Sequence, residues 1–550
     1  MNLRTLLSLL TLVLFTTSAL AHPGTHVPPE DDAPEATPAA PLEAPPAQAE
    51  PEPEPEPKPA PSADATVTAS PTPTPESDLK WKLFGFTRFT QSGLDDFPID
   101  DQGFTHGQLS RTGAVIELGG ELAFRGSRLV TELSVFEGQL AGDQSFPGSA
   151  ADVDTWTHKE FGDELQINEA FLEQNVGIGL LRVGYMEAHW GLGLLANDGQ
   201  REDDLFHERK GGDYTKRALF ITQPLRPFIA GPAGEALVLS LGFDLLERDD
   251  LIDTTDGDEA TQGVGALIYK QKTWHVGAYG AYRRSERASG DLTEVFVADL
   301  YGKWSTPLGG LGTLSVEAEL ASIQGTTEDL LFEGVDGAVK VQQLGLAARA
   351  RLEPEGDGLV ARLDAGIAPG DNAPQDESLS SIRFDPAYRV GMILFEEILS
   401  RTSARSVDGA TNPDLVGTPA HGYARIPSQG SIHNALFLAP QVGYRGFNKR
   451  LEARVGAMVA VAGGGVYDPY QSGLGGGYVT NPYGKADATG LLGTELLAAA
   501  VWRQPVFATV KVELGARYAL FLPGEALEAV EGVEGLDTVQ KWGVFGGMRW

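Results

Sequence analysis

The chain has 550 residues, a formal net charge of −34 at pH 7, 67 glycines, 35 prolines and no cysteine. So acidic a chain is no nucleic-acid binder, which needs a basic surface. The missing cysteines exclude thiol chemistry, cysteine-ligated zinc and iron–sulfur clusters.

Residues 1–21 read as a secretory signal peptide: Arg4 supplies the positive end, Leu6 to Phe15 the apolar run, and Ala19-Leu20-Ala21 the small-residue cleavage site. No cysteine follows, so a lipoprotein is excluded. Residues 22–78 are rich in Pro, Ala and Glu, with Pro and Glu alternating over 51–57. Such a stretch has too little apolar surface to offset its ordering entropy and reads as a disordered periplasmic linker. No later stretch approaches the roughly 18–20 apolar residues of a transmembrane helix.

Residues 79–550 alternate apolar and polar positions in short runs, the period of β-strands. The first runs fall at 81–90, 114–125, 129–136, 165–175 and 178–188. Long polar connections are expected after Ala188, Leu246, Arg284, Ile323, Ile367, Ala462 and Phe521. Short turns are expected at Gln271-Lys272, 307–310, 354–358, 446–448 and Gln504-Pro505, with a somewhat longer Pro/Gly-rich piece at 224–234. Short turns at one end and long loops at the other predict an all-β fold: a transmembrane antiparallel β-barrel of about 18 strands (16–18). A β-sandwich or propeller would not sort its loops this way.

Charges at bilayer depth should face water, because Arg or Lys on the lipid face costs about 2–4 kcal/mol. That rule predicts a basic pore lining of Arg349, Arg351, Arg362, Arg450, Arg454, Lys511 and Arg517, with Arg549 added from the last strand. The competing reading pairs these cations internally with Glu317, Glu319, Asp364, Glu452 and Glu513. Between Ile367 and Ile432 lies a connection too long and too apolar for a free loop. Its segment 384–399 contains Tyr388, Arg389, Phe395 and Glu396; it is expected to start a helix at Asp385-Pro386, fold into the barrel mouth and narrow it. The alternative is an extra strand at the rim. Acidic runs at 202–204 and 249–259 lack the spacing of a calcium loop and read as solvated charge. No nucleophile elbow or zinc-protease motif occurs, so no catalytic residue, metal or cofactor is assigned.

Residues 539–550 alternate to the end of the sequence, with Trp542, Val544, Met548 and Trp550 on one face and Lys541 and Arg549 on the other. This resembles the C-terminal signal read by the barrel-assembly machinery and predicts the closing strand, paired with 81–90. The stretch Val183-Gly184-Tyr185, the run Trp190-Gly191-Leu192-Gly193-Leu194-Leu195-Ala196-Asn197-Asp198-Gly199 and the segment Phe384-Asp385-Pro386-Ala387-Tyr388 resemble a family of uncharacterised outer-membrane barrels of myxobacteria-like Gram-negative bacteria. More distantly, the plan is similar to the alginate-export type of porin. Residues 190–199 are expected to form an interface turn where a strand leaves the membrane.

Together these expectations describe an outer-membrane porin-like channel, not an enzyme, for passage or export of hydrophilic, anionic solutes or polysaccharide. The alternative is a non-conducting structural or adhesive barrel presenting acidic external loops. Expected partners are outer-membrane lipid and lipopolysaccharide, the barrel-assembly machinery and a periplasmic partner of the linker; nucleic acid is not among them.

Overall fold

The computed structural model describes residues 79–143, 165–199, 205–207, 212–249, 252–254, 257–329, 338–372, 376–416, 423, 426–474 and 480–550. The expected signal peptide, the linker, the acidic run 202–204 and part of the run 249–259 lie outside the described residues.

One sheet of twenty strands closes on itself; two of these are two-residue pieces (Ile252–Asp253 and Ser378–Leu379), leaving eighteen wall strands. In chain order they are β1 Lys80–Leu94, β2 Leu109–Phe124, β3 Ser127–Gly142, β4 Gln166–Asn175, β5 Leu180–Glu187 and β6 Tyr214–Thr222. Next come β7 Leu237–Asp249, β8 Glu259–Lys270, β9 Trp274–Glu286, β10 Leu292–Pro307, β11 Thr313–Thr327 and β12 Val339–Glu353. The last six are β13 Gly358–Ala368, β14 Ala435–Gly446, β15 Leu451–Ala462, β16 Leu491–Pro505, β17 Lys511–Pro523 and β18 Val539–Arg549. Each wall strand pairs antiparallel with its sequence neighbours, and β18 returns to β1 with Phe86 opposite Arg549 and Leu94 opposite Lys541.

Closure leaves every strand with an outer and an inner face. The outer face carries exposed Leu, Val and aromatics, such as Leu241, Leu300, Leu344, Val455 and Leu514. Two aromatic belts frame it. Trp81, Phe124, Trp274, Trp304, Tyr444 and Trp502 stand near the short turns, and Phe243, Tyr282, Phe296, Tyr518 and Trp542 stand nearer the long loops. An apolar band with aromatic rims is the exterior of a barrel that crosses a membrane. Among the described residues no helix is long and apolar enough to do so.

The tight turns use left-handed backbone: Arg125 and Gly126 (φ 47° and 82°) join β2 to β3, and Phe447, Asn448 and Lys449 are all left-handed between β14 and β15. Two sequence expectations change here. The connection after Arg284 is a compact turn, 287–291, in which Arg287 bonds Asp258 and Asp329. Arg450 lies in the turn after β14 and is exposed there, outside the wall, because the left-handed run ends only where Leu451 starts β15.

The closing seam is tight. A side chain on Gly85 would meet the Trp550 ring, with Cε2 at 2.7 Å, and one on Gly93 would meet Trp542, with Cζ2 at 2.7 Å. The terminal aromatics therefore lie across two glycines of the first strand. Val544 and Met548 point outward beside them.

Candidate functional site

The barrel interior is narrowed by two segments that turn inward. The first follows β5. Leu192, Leu194, Asn197, Leu205 and Phe206 are buried, so residues 190–199 form an inner loop instead of an interface turn. The sequence shows why it folds there. Gly191 and Gly193 adopt φ of 61° and 81°, which turns successive amides the same way and makes a nest for an anion. Glu319 on the β11 wall fills that nest, accepting from the amides of Leu192 and Leu194. Beside it the Trp190 indole donates to Asp299 at 2.9 Å.

The second segment lies within 369–434. Ile382, Phe384, Tyr388, Met392, Ile393, Leu394, Phe395, Ile398 and Val407 are all at most 2% exposed. All of them except Val407 pack against a wall made shallow by Ala347, Ala368, Ala435, Ala439, Ala460, Ala499 and Ala519. Fully burying each large side chain contributes about 1.5–3 kcal/mol, so the alanine-lined wall and the apolar segment require one another.

The helix does not start at Asp385-Pro386. Asp385 instead closes a turn, its carboxylate accepting from the Ala387 amide at 2.7 Å, and helical winding begins with Leu394–Leu399 and continues as Ser400–Ala410. A two-residue strand, Ser378–Leu379, also pairs with β12 at the rim, so inward fold and rim strand coexist in this connection. Glu495 on β16 holds the segment: its carboxylate accepts from the amides of Met392 (2.6 Å), Ile393 (3.1 Å) and Leu394 (2.7 Å).

All four residues expected at the constriction lie inside. Tyr388 is fully buried with the Arg349 guanidinium 5.6 Å from its ring centre. Arg389 reaches Glu396 at 3.4 Å, Lys541 bridges Glu396 (3.5 Å) and Glu397 (2.6 Å), and Phe395 is buried in the core. Burial alone would push the Glu397 carboxyl up, but Lys541, Arg401 and Arg111 hold it well below the usual carboxylate range. The contact to Arg111 on β2, at 3.7 Å, carries the segment across the lumen. Next to it a recess opens, lined by Phe86, Arg88, Thr90, Ser92, Arg111 and Gln139.

The lumen wall is polarised. On β10 to β17, continuing to Arg88 of β1, eight cations (Lys303, Arg349, Arg351, Arg362, Arg445, Arg454, Arg503 and Arg88) share four carboxylates: Glu317, Asp364, Glu452 and Glu513. Asp364 takes Arg349 at 2.6 Å and Arg362 at 2.5 Å, while Glu452 takes three arginines. Ion pairing is therefore dense, as the competing reading held for all its carboxylates but Glu319. With Arg517 and the buried carboxylates Asp299, Glu319 and Glu495 included, nine cations face seven carboxylates, a surplus of two (nine minus seven). Across the lumen, on β2 to β5, Glu117, Glu121, Glu132, Glu169 and Glu173 face inward with Arg128 and Arg182. Of the remaining expected lining, Arg517 is buried with its guanidinium 5.6 Å from the Phe545 ring centre. Lys511 stands exposed at the first position of β17, opposite Arg549, at the short-turn mouth.

Glu495 and the amide-binding role of Glu319 were missed from sequence. For Glu495 the available signal was a single carboxylate on the non-lipid face of an otherwise apolar stretch; Glu319 shares its face with Glu317, and nothing local separates the two roles.

These features define a closed, membrane-spanning β-barrel of eighteen strands whose lumen is narrowed from within. No family model and no curated protein matches the chain. Among solved structures it is similar to OccAB1 of Acinetobacter baumannii, at 10% identity over 85% of this chain and 96% of that one, with a TM-score of 0.44. It is also similar to OprD of Pseudomonas aeruginosa (10% identity, 86% and 95% covered, TM-score 0.45) and to OccK8 (OprE) of the same organism (10%, 86% and 98%, 0.43). Likeness at that level adds nothing to what the strand register establishes.

Proposed function

We propose that the protein is a porin-like channel of an outer membrane that passes small hydrophilic solutes and favours anions. The observation that carries the reading is the surplus of cations on the β10–β17 wall, facing a carboxylate-rich wall on β2–β5. Charge of one sign in a low-dielectric channel focuses potential and raises the local concentration of counter-ions. A passing anion is drawn to one side and held in register beside the inward segment. That segment narrows the lumen, so an unbranched polymer would have to displace it. The short turns then face the periplasm and the long loops face outward, with lipopolysaccharide and the assembly machinery as surroundings.

The test is current through purified, folded protein in planar bilayers, followed by the reversal potential in a salt gradient. The reading requires steps of conductance and a reversal potential of anion-selective sign. Cation preference would overturn the charge argument. The solvent-free packing of Leu194, Tyr388 and Ile393 favours a second reading, a closed structural barrel. Absence of any current from folded protein would establish that reading instead.

A further inference from the structure

The two inward segments meet the wall in the same manner, although they come from different parts of the chain. Glu319 receives amides from the first and Glu495 receives amides from the second. At the second site too, a left-handed glycine precedes the amides: Gly391 has φ 75°, and a side chain there would lie 2.7 Å from Glu495 Oε1. Both carboxylates are almost free of solvent, at 1% and 0% exposure. Neither has a cation within ion-pair distance among the described residues. Peptide N–H groups are what balance the Glu495 charge, while Glu319 accepts its two N–H groups and also shares a hydrogen bond with the Asp299 carboxylate. The segments also hold each other. The Asp385 amide donates to the Leu194 carbonyl at 2.7 Å, and the His207 ring nitrogen Nε2 meets the Gly391 carbonyl.

From this arrangement we propose that Glu319 and Glu495 are paired latches and that the two segments form one interlocked gate. Each carboxylate orders the backbone of its own segment, and the Asp385–Leu194 and His207–Gly391 contacts pass that order to the other. The gate reading rests on the proposed channel function, whereas the latch itself is a statement about structure and is tested without any current. At Glu495 the isosteric amide turns an acceptor of three N–H groups into a group with one acceptor oxygen and two donors, which face other donors. At Glu319, where Asp299 can take one amide donor, a single acceptor oxygen is left for the N–H groups of Leu192 and Leu194. The wall fold is otherwise unchanged, because β11 and β16 keep their ladders.

The experiment is amide hydrogen exchange on full-length, detergent-folded wild type, Glu319→Gln and Glu495→Gln. Barrel integrity is monitored by the shift on unheated gels. In Glu495→Gln the amides of 392–394 should exchange at least tenfold faster while those of the wall strands do not. In Glu319→Gln the same acceleration should appear at Leu192 and Leu194 and also at Asp385 and 392–394. Unchanged exchange at 392–394 in Glu495→Gln overturns the latch. Acceleration confined to 190–199 in Glu319→Gln overturns the interlock. If Glu495→Gln does not assemble, Glu495→Asp is used, since retracting the carboxylate by one methylene should accelerate the same three amides. A parallel bilayer recording should show a severalfold larger conductance in the double variant. Faster exchange with unaltered conductance would leave the latch standing and remove its role as a gate. Silence of the wild type would instead sink the channel reading alone.

Discussion

Replacing Asp364 by Asn tests the wall electrostatics and the packing together. Asp364 is fully buried, accepts from Arg349 at 2.6 Å and Arg362 at 2.5 Å, and sits directly opposite Arg349 in the β12–β13 register. The substitution leaves the shape and withdraws one negative charge between two guanidinium groups. Removing one partner of a buried pair destabilises by about 3–5 kcal/mol. The Arg362 side chain is largely buried, at 11% exposure, but can turn toward the lumen, so the lower end, about 3 kcal/mol, is expected. The surplus of two positive charges on that wall then becomes three. One unit charge about 10 Å from the axis contributes roughly 0.4 kcal/mol in water, or about 0.15 kcal/mol after screening at 0.1 M salt. Acting with opposite sign on anions and cations, it should raise the anion-to-cation permeability ratio by about 1.7-fold at 0.1 M and toward fourfold at low salt. Unfolding of the barrel in detergent and reversal potentials at two salt concentrations measure the two effects. A variant as stable as wild type, or a permeability ratio that moves toward cations, would refute the reasoning.

Three other outcomes follow from the same geometry. Gly85→Val should reduce the yield of folded barrel on unheated gels, because its side chain meets the Trp550 ring. Gly263→Ala, with nothing within 4 Å, should fold like wild type. His106, in the loop after β1, is held neutral, its pKa lowered to about 3 by burial and then by Arg401. The folded state therefore resists a proton that the unfolded chain takes up below pH 6.5: stability should be level above that pH and about 2 kcal/mol lower at pH 5. His106→Gln should abolish that part of the acid profile in a pH series of melting curves. Trp190→Phe removes the donor to Asp299 and should cost about 1–3 kcal/mol, seen as a lower unfolding midpoint with unchanged strand content.

The wall was legible in the sequence because a barrel strand has a period of two and its turns are chemically marked. Alternation in β15 and β18 by itself assigns Val455, Val459, Trp542 and Val544 to the outer face. Turn chemistry gave the short connections, but Arg450 was misplaced by a left-handed run of Phe447, Asn448 and Lys449, of which only Asn448 is a residue that announces such a turn. The inward course of 384–399 was legible as apolar content without a place to go. Its helix start was not: Asp385-Pro386 serves equally as a turn, and the nest around Glu495 decided where winding begins. The role of 190–199 escaped because its partner, Glu319, is more than a hundred residues away; paired glycines show that a loop turns sharply and not which anion it turns around.

The wall is continuous only because β18 finds β1. Every other wall pairing joins strands adjacent in sequence, whereas Phe86 and Arg549 lie at the two ends of the described chain. Bringing such ends together costs on the order of 5 kcal/mol in chain entropy. Until that happens the sheet keeps two raw edges, each a template for pairing with another molecule. Closure is thus a late event whose rate is set by contact order, and the hazard on the way to it is aggregation. Once closed, the same nine-residue register and two tryptophans remove both edges at once. Damage at this seam should accordingly appear as protein that never closes, while the fraction that does close remains as durable as the rest.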